Sequence, residues 1–403
     1  MLVTCYTCDT ISEITELKDN QVAHCPQCSS VLRRNMASQH SIVLASSIAS
    51  VIFLFTSLFF PFISFKYSSF TNSITLYEAF QVLLQLESAV VAGFIFAIIV
   101  GIPFIMLSLY IPIYADGLSR ISFANKRRLL KLAKWLEPWA MSEIFIIGVL
   151  VSAVKLVSMA EIGFGLGFWS FVGFILCYLI VVSHRCTDTM WRKLMVVDCD
   201  GQLVTHNRGI DEGLKYCEMC QYSSYGDHCP RCLTKLSLRK KDSLQRVLAW
   251  SLTALILYIP ANLLPIMHTW SFGNDEPSTI IGGVLLLWNL GSYPIAMIIF
   301  IASIVIPLLK LLALFMLCFY ASKNNDREDC MKYSKLYHIV EIIGKWSMID
   351  VFVVVLLVTL VQLGTPISIL PGSGVLFFAC VVISSMLAAS SFDPRLIWDR
   401  IRE

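Results

Sequence analysis

"WSMIDVF", residues Trp346 to Phe352, opens the apolar run IDVFVVVLLVTLVQL (349–363), which reads as a membrane span with an aspartate near its head. The same pattern stands 207 residues earlier as "WAMSEIF", Trp139 to Phe145, heading EIFIIGVLVSAVKL (143–156). Trp, Met, an acid and Phe recur at one spacing, so the acid belongs to a pattern. A charged group at the centre of a membrane helix costs about 2.5–3.5 kcal/mol on insertion scales, and it usually faces a bundle interior or a wet cavity.

The rest of the chain supports reading these runs as spans. Of 403 residues, 57% are hydrophobic and 15% charged, with a mean hydropathy of +0.71. Soluble domains carry about 25% charged residues. A net charge of +3 gives no footprint for a nucleic-acid partner. The first 40 residues are polar and contain cysteines, without the apolar core of a cleavable signal. Runs of roughly 20 apolar residues predict eight transmembrane helices, at about 41–64, 89–113, 136–158, 163–184, 246–268, 293–319, 342–363 and 370–391. The stretch TIIGGVLLLWNL (279–290) precedes the sixth and reads as interfacial or re-entrant. Lys and Arg gather in 114–135, 185–245 and 320–341, which places those loops and both termini in the cytosol.

Internal matches suggest a duplication. Ile102-Pro103 matches Ile306-Pro307 and Pro61 matches Pro265, each 204 residues apart. The expected fold is an all-α polytopic membrane protein of two four-helix repeats in parallel orientation, each preceded by a small cytosolic zinc-ribbon or rubredoxin-like module. The boundaries are 1–36 for the first module, 37–205 for the first repeat, 206–240 for the second module and 241–403 for the second repeat.

Each module holds two CxxC knuckles: Cys5, Cys8, Cys25 and Cys28, then Cys217, Cys220, Cys229 and Cys232. A knuckle turns two thiolates toward one metal, and two knuckles complete a closed tetrahedral site, which is structural and not catalytic. Zinc is expected, with iron as the competing choice. His24 and His228 each precede a third cysteine and read as bystanders. The chain carries no GxxxxGK[ST] nucleotide motif, and nothing in it reads as an enzyme.

Polar residues inside the apolar runs are the remaining candidates. Asp350 and Glu143 occupy matching positions, and Lys310 lies within SIVIPLLKLL, deep enough in its span to pair with Asp350. Ser303 lies seven residues before Lys310, Ser347 three before Asp350, and Ser384 and Ser385 add hydroxyls in the last span. Together they sketch a polar track in the second repeat. The alternatives are snorkelling at the interface and serines that only aid helix packing. The first repeat has Met106 where the second has Lys310.

The paired cysteine modules, YIPANLLPIM (258–267), STIIGGVLLLWNLGSYPIA (278–296), FIASIVIPLLK (300–310), WSMIDVF and SFDPRLIWDR (391–400) resemble the paraquat-inducible protein A family over essentially the whole chain. The resemblance implies a multi-pass protein of the bacterial inner membrane, a periplasmic MCE-domain partner and transport of phospholipid between the inner and outer membranes. It also implies that Ser303, Lys310, Ser347 and Asp350, with Ser384 less securely matched, form an intramembrane polar network suited to proton coupling. Other readings are a small-solute or drug exporter and an anchor for a periplasmic tunnel protein.

Overall fold

The computed structural model describes residues 2–14, 17–18, 20–36, 38–67, 70–85, 89–115, 122–156, 161–194, 208–271, 274–289, 291, 293–323, 326–346 and 367–400. The chain opens with two short antiparallel hairpins, β1 (Leu2–Thr4) with β2 (Ile11–Glu13) and β3 (Val22–His24) with β4 (Val31–Arg34). Each cysteine knuckle sits in a hairpin turn of this kind. Helix α1 (Gln39–Phe59) then carries the chain away from the module over roughly 32 Å, at 1.5 Å per residue.

At the far end of α1, Pro61 stops the helix and β5 (Pro61–Tyr67) begins. It pairs with β6 (Phe70–Thr75), and later with β7 (Glu161–Phe164), to give a sheet of order β6-β5-β7. Between them run α2 (Leu76–Gln85), α3 (Ala89–Phe96), a π-helical segment at Ala97–Gly101, α4 (Ile102–Tyr114), α5 (Phe123–Leu136) and α6 (Ser142–Leu156). Helix α7 (Leu166–His184) returns along α1 to the module end and leads into α8 (Thr187–Leu194).

The second module contributes β8 (Lys215–Tyr216) paired with β9 (Ser223–Ser224). Helix α9 (Ser243–Leu263) leaves it, and the series of elements recurs: β10 (Met267–Ser271), β11 (Asn274–Ser278), α10 (Ile280–Asn289), α11 (Tyr293–Phe300), a π-helical segment at Ile301–Val305, α12 (Ile306–Ala321), α13 (Arg327–Trp346), β12 (Ile367–Pro371) and α14 (Gly374–Ser391). The second sheet has the order β11-β10-β12.

Small side chains explain the closest helix packing. The buried face of α1 is Val43, Ser47, Ser50, Leu54 and Ser57, and it lies along α7. The buried face of α9, including Val247, Ser251, Ala254 and Ala261, lies along α14. Within a bilayer, burial of apolar area does not drive helix association, so small residues that let backbones approach do the work. Two glycines close the turns that lead into α7 and α14. A Cβ on Gly165 would fall on the Pro61 carbonyl oxygen, and one on Gly372 would fall on that of Pro265. Both backbones instead donate locally, Gly165 to Phe62 at 3.1 Å and Gly372 to Ile266 at 2.7 Å.

Six helices among the described residues are long and apolar enough to cross a membrane: Gln39–Phe59, Gly93–Tyr114, Leu166–His184, Ser243–Leu263, Ile301–Ala321 and Gly374–Ser391. They coincide with six of the eight expected spans. The third expected span coincides with α6, described over 15 residues. The seventh starts in α13 and otherwise lies outside the described residues. The protein is mostly helical and not all-α, because the ends of the expected first and fifth spans turn into strands. Those strands find partners across the chain, as when β5 pairs with β7 at Ile63 and Phe164, and hydropathy does not report such pairings.

Candidate functional site

The best-defined sites are the two cysteine clusters. In each, the four Sγ atoms all lie within 4.8 Å of one another. Across the knuckles, Cys5 and Cys28 stand 3.5 Å apart, as do Cys8 and Cys25. The pairs Cys217–Cys232 and Cys220–Cys229 are at 3.4 Å. A tetrahedron with metal–sulfur bonds of about 2.3 Å has sulfur–sulfur edges of about 3.8 Å, so both clusters fit one tetrahedral ion of the zinc or iron class. His24 and His228 are exposed and belong to neither cluster.

The backbone prepares each knuckle. The first cysteine of every CxxC accepts from the amide four residues on: Asp9 to Cys5, Ser29 to Cys25, Gln221 to Cys217 and Leu233 to Cys229, at 2.8–3.0 Å. Each of those four donors is a non-glycine residue in left-handed conformation, with φ between 57° and 65°. Such residues are uncommon outside glycine. Four in equivalent places show that the turn is imposed by the knuckle. Hydroxyls on Thr10, Ser30 and Thr234 lie 2.9–3.2 Å from knuckle sulfurs, which suits thiolate charge.

The modules are pinned by ion pairs that reach both halves of the chain; Arg33 of the first module, for one, lies 3.6 Å from Asp188 of α8. From the first module, Asp9 pairs with Arg239 at 2.8 Å, and Arg239 also holds Asp399 near the C-terminus. Tyr6 packs edge-on against His338 of α13. From the second module, Arg231 pairs with Asp188 of α8 at 2.9 Å and accepts on its carbonyl from Arg127 of α5. The C-terminal segment is fixed by Asp393, which takes a bidentate bond from Arg395 and the amide of Lys240. Burial alone would raise the Asp393 carboxyl, but Arg395 overrides it and holds it below the ordinary value.

A second site lies within the spans. The π-helical segment Ile301–Val305 carries Ser303, and α12 follows with Lys310; both are at most 3% exposed. They share the buried face of this helix with Pro307, Leu314 and Leu317. The Lys310 amino group donates to Ser385 Oγ of α14 at 2.9 Å, and Ser385 donates to the Val382 carbonyl at 2.8 Å. Gly344 of α13 lies against the same amine, where a Cβ would stand 3.1 Å from Nζ. Ser384, beside Ser385, is buried as well. Ser347 and Asp350 lie outside the described residues. Glu143, in the first turn of α6, has one carboxylate oxygen buried without a hydrogen-bond partner among the described residues. Its neighbour Ser142 donates to the Ile99 carbonyl in the first π-helical segment at 2.8 Å. Both π-helical segments escaped the sequence reading, because one extra residue per turn barely disturbs an apolar pattern. Gly344 escaped it too, since a lone glycine near a helix end carries no signal of what packs on it.

Comparison with known sequences bears on what these sites belong to. The family described as paraquat-inducible protein A matches residues 41–195 and again 244–402. The chain belongs to the paraquat-inducible protein A family. A relative in Escherichia coli K12, intermembrane transport protein PqiA, is 37% identical over 99% of this chain and 95% of its own length. Lipophilic envelope-spanning tunnel protein A of the same organism is 27% identical over 98% of the chain and 90% of its own length. A probable intermembrane transport protein of Haemophilus influenzae is 26% identical over 98% and 95%. No solved structure matches the chain significantly. Family membership thus rests on full-length similarity, and the relatives' names describe transport and not enzymatic turnover.

Proposed function

We propose that this protein is an inner-membrane component of a system that moves phospholipid between the inner and outer membranes in concert with a periplasmic MCE-domain protein. Two tandem units in parallel orientation, with the zinc modules and both termini in the cytosol, form its frame. The names and near-complete overlap of its relatives support intermembrane transport. The observation that carries transport within this chain is Lys310, an amine 3% exposed inside a span and answered by a neutral serine. A lysine kept there at a cost of about 2.5–3.5 kcal/mol marks a working site.

In this reading Ser303, Lys310, Ser384 and Ser385 line a polar track, and Ser347 and Asp350 complete it from the segment that follows Gly344. Asp350 and Lys310 would exchange a proton as the protein changes state, with Glu143 as the first unit's counterpart. The zinc ions would hold the cytosolic modules and take no part in transport.

The test is photo-crosslinking in cells whose phospholipid phosphate is labelled. A photoreactive residue replaces Ser303, with Leu309, 57% exposed on the outer face of α12, as the lipid-facing control. Labelled lipid captured at 303 above the control is the expected result. Capture no better than the control removes the track and leaves the anchor reading. Capture of a non-lipid solute favours the exporter.

A further inference from the structure

The helices that lead toward the acid-headed segments share an unusual outer face. In α5, Leu130, Ala133 and Leu136 turn inward. The opposite face presents Arg128, Lys131, Leu132 and Trp135, at positions i, i+3, i+4 and i+7, which stack on one side of a helix. Leu132 is 41% exposed and Trp135 is 65% exposed. In α13, 207 residues on, the same four places hold Lys335, His338, Ile339 and Ile342. Ile339 is 50% exposed and Ile342 is 64% exposed, while Tyr337, Val340 and Gly344 turn inward. The exposed apolar pair recurs in the same register, and Lys335 keeps the first basic place, but His338 packs against Tyr6 and lies 3.7 Å from Glu341, so the second basic place is particular to α5.

The location of this face is fixed by contacts. Just past the end of α5, Glu137 pairs with Lys134 and with Arg185, which follows the last residue of α7. Arg185 also donates to Tyr110 near the end of α4. Leu132 and Trp135 therefore lie level with the ends of two candidate spans, and Arg128 lies one turn farther out. That order matches membrane boundaries, where aromatic and apolar groups sit at headgroup level and basic groups reach the phosphates. Helix α5 carries five basic residues and no acid, so its charge complements an anionic surface.

We propose that α5 and α13 each lay their exposed apolar pair into the interface of the leaflet at the cysteine-module end, and that in α5 Arg128 and Lys131 grip the phosphates of anionic phospholipid. The ridge depends on the chain lying in a membrane and not on the transport reading, so either can fail alone.

The full-length protein is placed in nanodiscs of phosphatidylcholine with or without phosphatidylglycerol, using lipids brominated on their acyl chains. Trp135 emission is taken as the difference between the protein and Trp135→Phe. Quenching of that emission, deepened by phosphatidylglycerol, is expected. Gln at both Arg128 and Lys131 should leave quenching in neutral discs and reduce phosphatidylglycerol enrichment around the protein about 25-fold, since each basic residue near an anionic surface contributes about a fivefold preference. Trp135 emission that lipid does not quench, as under a protein partner, overturns the insertion. Equal quenching in the two discs overturns the phosphate grip. Ile342→Trp in the Trp135→Phe background probes α13 in the same way, and an unquenched signal there overturns the claim for the second ridge. All these side chains lie on the outer surface of the protein, Lys131 half-exposed and the others exposed, so monodisperse purification is expected of every variant.

Discussion

Met106 and Lys310 stand 204 residues apart, and Tyr178 and Ser385 stand 207 apart, in corresponding elements of the two halves. In the first half the Tyr178 hydroxyl meets the Met106 sulfur at 3.8 Å, and both residues are buried. In the second the Lys310 amine donates to Ser385 at 2.9 Å. A long apolar residue with a large aromatic partner has become a long cation with a small hydroxyl. The frame around the two pairs is alike: a π-helical segment, then Ile-Pro, on one side, and a helix that starts from a glycine turn on the other. The difference teaches that a similar series of elements can hold different chemistry: the amine of α12 has an apolar counterpart in α4, while the first half keeps an acid elsewhere, Glu143 of α6. On this reading the two halves have different tasks.

The largest effect is expected where the halves are alike. Cys8→Ser and Cys220→Ser should each remove one of two bound metals, and each should unfold its own module. Structural zinc binds zinc-finger peptides with apparent free energies of about 10–16 kcal/mol, and a module with so little core has no other source of that size. Metal content by mass spectrometry and hydrogen exchange in detergent would check this. The contacts of each module sharpen it: Cys8→Ser should loosen α13 through Tyr6 and α8 through Arg33, and Cys220→Ser should loosen α5 and α8 through Arg231. Loosening confined to the altered module would show that these contacts do not couple it to the helices.

An exchange at the differing position comes next. Lys310→Met gives the second half the side chain of the first. Lipid transfer should fall at least tenfold, while the unfolding temperature holds or rises because a buried charge is gone. Met106→Lys puts a cation where Tyr178 and Phe174 pack, and should lower stability by about 2.5–3.5 kcal/mol. Full transfer by Lys310→Met would sink the view that the halves have different tasks.

The metal sites were legible in the sequence because their chemistry is local. Two thiols three residues apart can turn toward one point, and the structure gathers the eight into two clusters of four, each knuckle with its left-handed turn. Most of the spans were legible for the same reason, since hydropathy accumulates along a continuous run. The sheets were not, because the apolar run of α1 continues through PFISF at 61–65, and only pairing with β6 and β7 makes it a strand. The polar site was legible in part. Lys310, Ser303, Ser384 and Ser385 were singled out as polar groups in apolar runs and all four are buried, while the expected partner of the lysine, Asp350, lies outside the described residues and the amine donates to Ser385. Which of two adjacent serines faces a lysine depends on the rotation of α14, and packing sets that.

The smallest effect concerns the two π-helical segments. A π turn leaves backbone groups without their helical partners, and something nearby has to satisfy them. In the first half Ser142, fully buried, does so by donating to the Ile99 carbonyl. The residue 207 positions on is Ile349, which has no hydroxyl to give. The second segment, which carries Ser303, is held differently: Tyr258 of α9 donates its hydroxyl to the Ile304 carbonyl at 3.3 Å. Ser142→Ala should cost about 1 kcal/mol, the usual net worth of one such bond, and should speed hydrogen exchange at residues 98–105 without changing lipid transfer. Residues 302–309 should exchange as before, since their own tie runs to Tyr258. Faster exchange spreading to 302–309 would show that the two ties are not independent, and that the two segments answer to each other.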